Sequence, residues 1–62
     1  MKSNSWLVEI RMRKQLTQKE VANLAGIERS YYTKIENGAI PSVKVAKRIA
    51  EVLETNWTFF YE

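Results

Sequence analysis

Apolar residues recur at helical spacing along nearly the whole chain, and this pattern limits the fold more than any other feature of the sequence. They lie three and four positions apart, as on one face of a helix, whereas a half-buried strand alternates apolar and polar residues. No segment shows that alternation over a useful length. The sequence therefore predicts an all-α fold class, a compact bundle of helices with short loops, forming a single domain over residues 1–62.

The small size and two missing residue types exclude most enzymes. The chain has 62 residues and contains neither Cys nor His. A chain of this length buries only about 60% of the surface that its unfolded form exposes, so it has no deep cleft between domains. Without Cys and His there are no disulfides, no thiolate or imidazole metal ligands and no His-activated nucleophile. We therefore predict no enzymatic activity, no catalytic residues, no metal, no cofactor and no small-molecule ligand.

The charges are unevenly distributed. The chain carries 10 Lys and Arg against 7 Asp and Glu, a net charge of +3. Residues 1–48 contain all 10 cations and four of the seven acids, whereas residues 49–62 contain the other three acids and no cation. This polarity predicts a basic part that faces a polyanion and an acidic, aromatic end that faces away from it.

The sequence shows no targeting or membrane segment. No run approaches the roughly 20 apolar residues that a membrane helix needs. The stretch from Met1 to Ser5 is polar and does not resemble the start of a signal peptide. The absence of Cys fits a reducing compartment. We therefore expect a soluble cytoplasmic protein with no membrane partner.

The first two predicted helices have local start and stop signals. Helix one should run from about Ser5 to Lys14, with Asn4 or Ser5 as its N-cap. Its inward face consists of Trp6, Leu7 and Ile10. Helix two opens at Gln18, after a capping box formed by Thr17 and Glu20, and ends at Gly26. Its buried stripe is predicted to be Val21, Leu24 and Ala25.

The second half of the chain contains two further helices. Helix three should begin near Glu28 and stop at Asn37-Gly38, where Asn-Gly favours a helix end. Its inward residues are Tyr32 and Ile35. Helix four is capped by Ser42 and continues to Glu54. Its inward residues are Val45, Ala46, Ile49, Val52 and Leu53.

Apolar and small residues after Gln18 have the spacing of a helix-turn-helix motif. They are Val21, Ala22, Gly26, Ile27, Tyr32 and Ile35. Ala22 is small enough to let helices two and three cross closely, and Gly26 permits the left-handed backbone that the turn requires. The larger members of this set should fix the angle between the two helices.

This stretch and its flanks resemble the Cro and phage-repressor (XRE-type) helix-turn-helix family. The most specific parts of the likeness are Thr17-Gln18, the Ala22 and Gly26 pair, Lys34-Ile-Glu-Asn-Gly38 and the closing Asn56-Trp57-Thr-Phe-Phe60. The resemblance covers nearly the whole chain and implies a five-helix domain of the lambda-repressor-like type. It further implies a transcriptional regulator, a repressor by our expectation, that binds double-stranded DNA as a homodimer on a palindromic operator. Such proteins are bacterial or phage proteins, associated with the nucleoid when bound.

Two residues depart from the family pattern. The recognition helix of this family often starts with Ser or Thr, but Glu28 stands here, and its carboxylate suits the helix dipole while it repels a phosphate. The inward position commonly held by Ile or Val is Tyr32, so the fold must house a larger ring. We expect the Tyr32 hydroxyl to find a partner at the edge of the core.

In such a fold the third helix lies in the major groove with its first residues at the base edges. The predicted base-reading residues are Arg29, Ser30, Thr33 and Lys34. Arg29 is the first candidate, because its guanidinium can pair with both acceptors of a guanine edge. Ser30 can contact several bases, Thr33 offers a methyl and a hydroxyl, and Lys34 reaches guanine or a phosphate. The same residues could instead form an ordinary solvated helix face.

A second group is predicted to contact phosphates. Its members are Arg11, Gln18, Lys19, Tyr31, Asn37 and Lys44. Gln18 stands at the start of helix two, where its amide and the free backbone donors can hold a phosphate. Family members use the equivalent glutamine in this way and also to brace the recognition helix. Asn37 could simply end helix three, Tyr31 could be ordinary packing, and Lys19 and Lys44 could be solvated.

Two further groups are predicted to be structural. The resemblance implies an ion pair between Arg11 and Glu36 beneath the DNA-binding surface, which would also orient Arg11 toward a phosphate. At the C-terminal end, Thr55 or Asn56 can cap a final turn whose inward residues are Trp57 and Phe60. The aromatic residues left over, candidates for a dimer interface or for packing against helix one, are Phe59 and Tyr61.

One other class of function fits the same fold. The helix-turn-helix or the aromatic C-terminal segment could bind a protein, such as a toxin or another regulator. Arg29 and Lys34 argue against this alternative, and Glu28 argues weakly for it.

Overall fold

The computed structural model describes residues 4–62 and shows an all-helical fold. The α-helices are α1 (Ser5–Arg13), α2 (Gln18–Ala25), α3 (Arg29–Glu36) and α4 (Val43–Leu53), followed by a 3-10 helix over Trp57–Tyr61. No strand occurs within these described residues. The all-α prediction is confirmed, whereas the single-domain prediction also included residues 1–3, which lie outside the described part.

The fifth element differs from the five-helix expectation because it is a 3-10 helix and not an α-helix. It has 5 residues, and the Phe59 backbone N–H donates to the Asn56 carbonyl, an i to i+3 bond. Such tight turns are stable only in short pieces. The Asn56 side chain caps this turn by accepting from the Thr58 backbone N–H at 3.0 Å.

The helices pack around one apolar core. Helix α2 contacts both α3 and α4, α1 packs against α3, and the 3-10 helix packs against α4. The buried core residues are Leu7, Val21, Ala22, Ala25, Tyr32, Ile35, Ala46, Ile49, Ala50, Leu53 and Phe60. Trp6, Ile10 and Trp57 are partly buried against this core, so their predicted inward orientation is confirmed.

Three details of the sequence analysis are wrong. Leu24 is 66% exposed, because α2 faces its neighbours with Val21, Ala22 and Ala25, and Leu24 lies outside that arc. Asn4 occupies the N-cap position of α1 without capping it, because its amide donates to the Ile35 carbonyl at 2.6 Å. The Tyr32 hydroxyl is not at the edge of the core: it is buried and has no hydrogen-bond partner among residues 4–62.

Within residues 4–62, the longest helix has 11 residues, and none is long and apolar enough to span a membrane.

Candidate nucleic-acid interface

The turn between α2 and α3 is fixed by local chemistry. At the start of α2 the Thr17 hydroxyl accepts from the Glu20 backbone N–H at 3.1 Å, and the Glu20 carboxylate accepts from the Thr17 N–H at 2.8 Å. At its end Gly26 adopts φ 72°, a left-handed conformation that costs glycine little. The Ile27 N–H then donates to the Ala22 carbonyl at 2.9 Å. The capping box and the glycine turn are therefore confirmed.

A buried carboxylate joins α1 and α2 to the end of α3. Glu36 is 5% exposed, and its Oε2 accepts from Arg11 Nε at 2.6 Å. Its Oε1 accepts from Gln18 Nε2 at 2.7 Å. Arg11 also donates through Nη1 to the Leu16 carbonyl at 2.9 Å, which secures the loop between α1 and α2. We call Arg11, Gln18 and Glu36, with Thr33, the polar hub.

The hub keeps Arg11 and Glu36 charged. Burial alone would raise the pKa of Glu36, but the hydrogen bonds from Arg11 and Gln18 outweigh it and hold the pKa below its ordinary value. The hydrogen bond to Glu36 raises the pKa of Arg11. The Arg11–Glu36 pair is thus an ionised, largely buried ion pair, as the resemblance implied.

Thr33 is linked to the hub through Gln18. Its hydroxyl donates to Gln18 Oε1 at 3.0 Å, so α2 and α3 are joined by a side-chain bond in addition to their apolar contact. Both side chains are half-buried. The Gln18 amide is therefore held at both ends, by Glu36 at its nitrogen and by Thr33 at its oxygen.

The outer face of α3 carries the other predicted base-reading residues. Arg29, Ser30 and Lys34 are exposed, and Arg29 is the first residue of the helix. Glu28 occupies the N-cap position with extended backbone angles, and its side chain makes no capping hydrogen bond. The first turn of α3 thus leaves its backbone donors without a side-chain cap.

A groove in front of α2 connects this face with the hub. It is open, has a volume of about 560 Å³ and lies between the end of α1, the start of α2 and the start of α3. Its cationic and amide-bearing lining residues are Arg11, Gln15, Gln18, Lys19 and Arg29. Three cations beside a helix N-terminus suit an anionic group such as a phosphate.

The other predicted phosphate contacts are more dispersed. Asn37 is the exposed C-cap residue of α3, and Lys44 is exposed in the first turn of α4. Tyr31 is half-buried and packs against the core. A neighbouring cation, Lys47, lies over the Trp57 ring at 5.2 Å from its centroid and so belongs to the C-terminal side of the molecule.

The two dimer candidates are partly exposed and partly engaged within the chain. Phe59 is 41% exposed, and its ring meets Trp6 edge-on at 5.7 Å. Tyr61 is 42% exposed, and its hydroxyl donates to the Pro41 carbonyl at 2.7 Å. The predicted packing against helix one is therefore present for Phe59, and both residues remain partly exposed.

Two contacts of the site were missed by sequence reasoning. The Thr33–Gln18 bond joins residues 15 apart, and the Asn4–Ile35 bond joins residues 31 apart. Neither pair has a local pattern, because each depends on how α3 lies against another element. The resemblance to family members that brace the recognition helix through Gln18 was the available signal for the first.

The chain is similar in sequence to known helix-turn-helix proteins. Residues 7–60 match a protein-family model described as Helix-turn-helix. The chain is also similar to a protein of Bacillus subtilis (strain 168) named Uncharacterized HTH-type transcriptional regulator YqaF, with 53% identity over 58 residues. That similarity covers 92% of this chain and 76% of the relative. Both matches include the helix-turn-helix together with helices that support it.

Proposed function

The chain belongs to the XRE-type helix-turn-helix family of transcriptional regulators, and from this premise we propose that it is a sequence-specific regulator that binds double-stranded DNA with α3 in the major groove. The observation that supports this proposal is that Arg29, Ser30 and Lys34 are all exposed on the outer face of α3. The opposite face of the same helix is locked to the core and to the polar hub. A rigid helix with free polar side chains is what base recognition requires.

Arg29 and Lys34 are the proposed principal readers. A guanidinium can pair with both acceptors of a guanine, and an ammonium can reach one acceptor or a phosphate. Ser30 contributes a contact of low selectivity. Thr33 completes the face through its methyl group, because its hydroxyl proton is bound to Gln18.

The groove in front of α2 is the proposed phosphate site. Lys19 and Gln18 lie at the helix start, and Arg11 reaches the same groove from the hub. Tyr31, Asn37 and Lys44 are proposed to add contacts to the backbone on either side. Lysine and arginine contacts to phosphate release counterions, so affinity should fall steeply as salt rises.

We further propose a homodimer that represses transcription from a palindromic operator. The exposed ring surfaces of Phe59 and Tyr61 are the proposed interface. Two recognition helices would then lie about 34 Å apart, one turn of duplex. Sedimentation equilibrium of the wild type and of Phe59→Ser tests the interface. A monomeric wild type, or a dimer unchanged in the variant, would contradict it.

Selection from a randomised duplex library tests the function itself. The wild type should enrich a palindrome at a stated salt concentration, and its affinity for the selected duplex should fall with rising salt. Arg29→Ala should cost about 1–3 kcal/mol on that duplex and relax the preference at one base pair. Arg13→Ala is the matched control, because Arg13 is exposed and pairs only with Glu9 within the described residues. It should leave the base preference unchanged.

A protein-binding module is the other class of function that the experiment separates. Capture of a stoichiometric protein partner, together with no salt-sensitive retention of any duplex, would overturn the proposal of DNA binding.

A further inference from the structure

We propose that Thr33 is a positioning residue: by donating its hydroxyl proton to Gln18 it fixes the Gln18 amide so that the second amide proton meets a DNA phosphate. This inference rests on the proposed DNA-binding function. It gives Thr33 a role that is distinct from base reading through the hydroxyl.

The orientation of the Gln18 amide follows from the charge of Glu36. An ionised carboxylate can only accept hydrogen bonds, so it must face the amide nitrogen and not the amide oxygen. The distance of 2.7 Å between Gln18 Nε2 and Glu36 Oε1 agrees with this orientation. The amide oxygen of Gln18 is then directed to Thr33.

The direction of the Thr33 bond follows in turn. The Gln18 oxygen has no proton, so the Thr33 hydroxyl must be the donor across the 3.0 Å between Thr33 Oγ1 and Gln18 Oε1. A hydroxyl has one proton, and here it is already used. Thr33 therefore cannot donate to the acceptors of a guanine edge without releasing Gln18.

Within residues 4–62, the same bonds leave one donor of Gln18 free. The amide nitrogen carries two protons, and Glu36 accepts one of them. Gln18 is the first residue of α2 and lines the groove that also contains Lys19 and Arg29. A phosphate in this groove would meet the second amide proton, held in place before DNA arrives. Such preorganisation strengthens a contact because less side-chain freedom is lost on binding.

Thr33→Val tests the proposal, because valine keeps the shape and the methyl group of threonine and replaces only the hydroxyl by a second methyl group. We expect about two- to tenfold weaker binding, the worth of one hydrogen bond, both to the duplex selected by the wild type and to a mixed-sequence duplex. Because Gln18 is neutral, the salt dependence should not change. Lys34→Ala, in contrast, should reduce the slope of log affinity against log salt by about 0.9 if Lys34 contacts a phosphate.

Three further variants separate positioning from a general effect on the fold. Thr33→Ser keeps the hydroxyl and should bind mixed-sequence duplex as tightly as the wild type, in contrast to Thr33→Val. Thr33→Val should have no additional effect in a Gln18→Ala background, since the residue that it positions is then absent. Thr55→Val removes the hydroxyl of a half-buried threonine beyond α4 and should leave DNA binding unchanged.

The outcomes are distinct from those that test the proposed function. A wild type that binds no duplex overturns the function and this inference together. If the wild type binds DNA, an unchanged affinity of Thr33→Val or of Gln18→Ala overturns the inference alone. A changed preference at one base pair in Thr33→Val, with wild-type binding to mixed sequence, shows a direct reader and also overturns it.

The free protein provides a test that does not depend on DNA. In nuclear magnetic resonance spectra the Gln18 side-chain amide protons should have well-dispersed shifts in the wild type and in Thr33→Ser. In Thr33→Val they should move toward the values of an unrestrained glutamine. Unchanged amide shifts in Thr33→Val would show that Thr33 does not hold Gln18.

Discussion

The two helices of the helix-turn-helix begin in opposite ways. Helix α2 starts with a complete capping box, in which Thr17 and Glu20 each satisfy a backbone donor of the other. The N-cap residue of α3 is Glu28, whose side chain makes no capping hydrogen bond. Local sequence therefore specifies the start of α2, whereas nothing of the kind secures the start of α3.

Helix α3 is secured instead along its inward face and at its far end. Tyr32 and Ile35 are completely buried, and Glu36 binds Arg11 and Gln18. The helix that we propose to read DNA is thus stabilised by tertiary contacts, and its first turn is left for a ligand. The difference implies that the stability of α3 depends on its inward face and its far end and not on a cap at its first turn.

Among the variants compared for stability, removing the Glu36 charge should have the largest effect on the free energy of unfolding. Glu36→Gln leaves Arg11, whose side chain is 14% exposed, without its ionic partner, and we expect a loss of about 3 kcal/mol in the free energy of unfolding. Urea unfolding at neutral pH measures this loss. Glu9→Gln is the matched control, because the Glu9–Arg13 pair is exposed and should be worth only about 0.5 kcal/mol or less. Equal effects of the two variants would refute the special role of the hub.

Lowering the pH should remove from the wild type part of the stability that Glu36→Gln loses at neutral pH. The pKa of Glu36 is lower in the folded protein than in the unfolded chain, so its stabilising contribution is complete above the ordinary value of about 4.3 and declines as the pH falls toward the folded pKa. The difference in stability between wild type and Glu36→Gln should therefore shrink as the pH is lowered from about 7 to about 3. Lys14 also lowers the pKa of Glu54, but that pair is present in both proteins and cancels in the difference. A difference that stays constant would mean that Glu36 does not titrate with folding.

The buried hydroxyl of Tyr32 should be dispensable. Burial, with a further contribution from the Glu36 carboxylate, raises the pKa of Tyr32. The hydroxyl lies near the Glu36 carboxylate but makes no hydrogen bond of normal geometry within residues 4–62, so Tyr32→Phe should avoid its desolvation penalty and raise the free energy of unfolding by about 1 kcal/mol. Thermal unfolding measures the change. Tyr61→Phe is the control, since the Tyr61 hydroxyl has a partner in Pro41 and its removal should not stabilise.

The helix starts themselves can be compared by removing their N-cap side chains. Thr17→Ala removes the acceptor of the Glu20 N–H and should destabilise the protein by about 1 kcal/mol. Glu28→Ala has no capping bond to remove and loses only the interaction of its charge with the helix dipole, so it should cost about 0.5 kcal/mol or less. Urea unfolding of both variants measures the difference. A cost for Glu28→Ala as large as that for Thr17→Ala would show that the two starts are alike.

The same contrast explains how much could be predicted from the sequence. The capping box at Thr17 and the turn at Gly26 were predicted correctly, because each depends on a few adjacent residues and on backbone conformation. Leu24 was placed in the core, yet it is 66% exposed. Helical periodicity gives the width of an apolar face but not its direction, which here is decided by the positions of α3 and α4.

In the candidate site too, features of a single helix could be predicted, whereas contacts between helices could not be predicted from spacing. The exposed positions of Arg29 and Lys34 could be predicted by turning α3 with Ile35 inward. The Arg11–Glu36 pair came from the family resemblance and not from spacing. The bond between Thr33 and Gln18 forms only if α3 is positioned to within about an ångström, because a hydrogen bond forms only over a narrow range of distance. No pattern within one helix contains that information.

The smallest expected effect on stability comes from giving α3 the cap that it lacks. Glu28→Ser supplies a hydroxyl that can accept from the first turn, and we expect a gain of about 0.5 kcal/mol in the free energy of unfolding. It also removes a negative charge from the start of α3, so binding to a mixed-sequence duplex should become tighter. Glu28→Gln separates the two causes, because it removes the charge and supplies a poorer cap. If Glu28→Gln tightens DNA binding as much as Glu28→Ser while stability rises only in the latter, stability and binding at this position have different origins. If neither variant binds DNA more tightly, the start of α3 does not lie against a phosphate, and the proposed placement of this helix in the groove has to be revised.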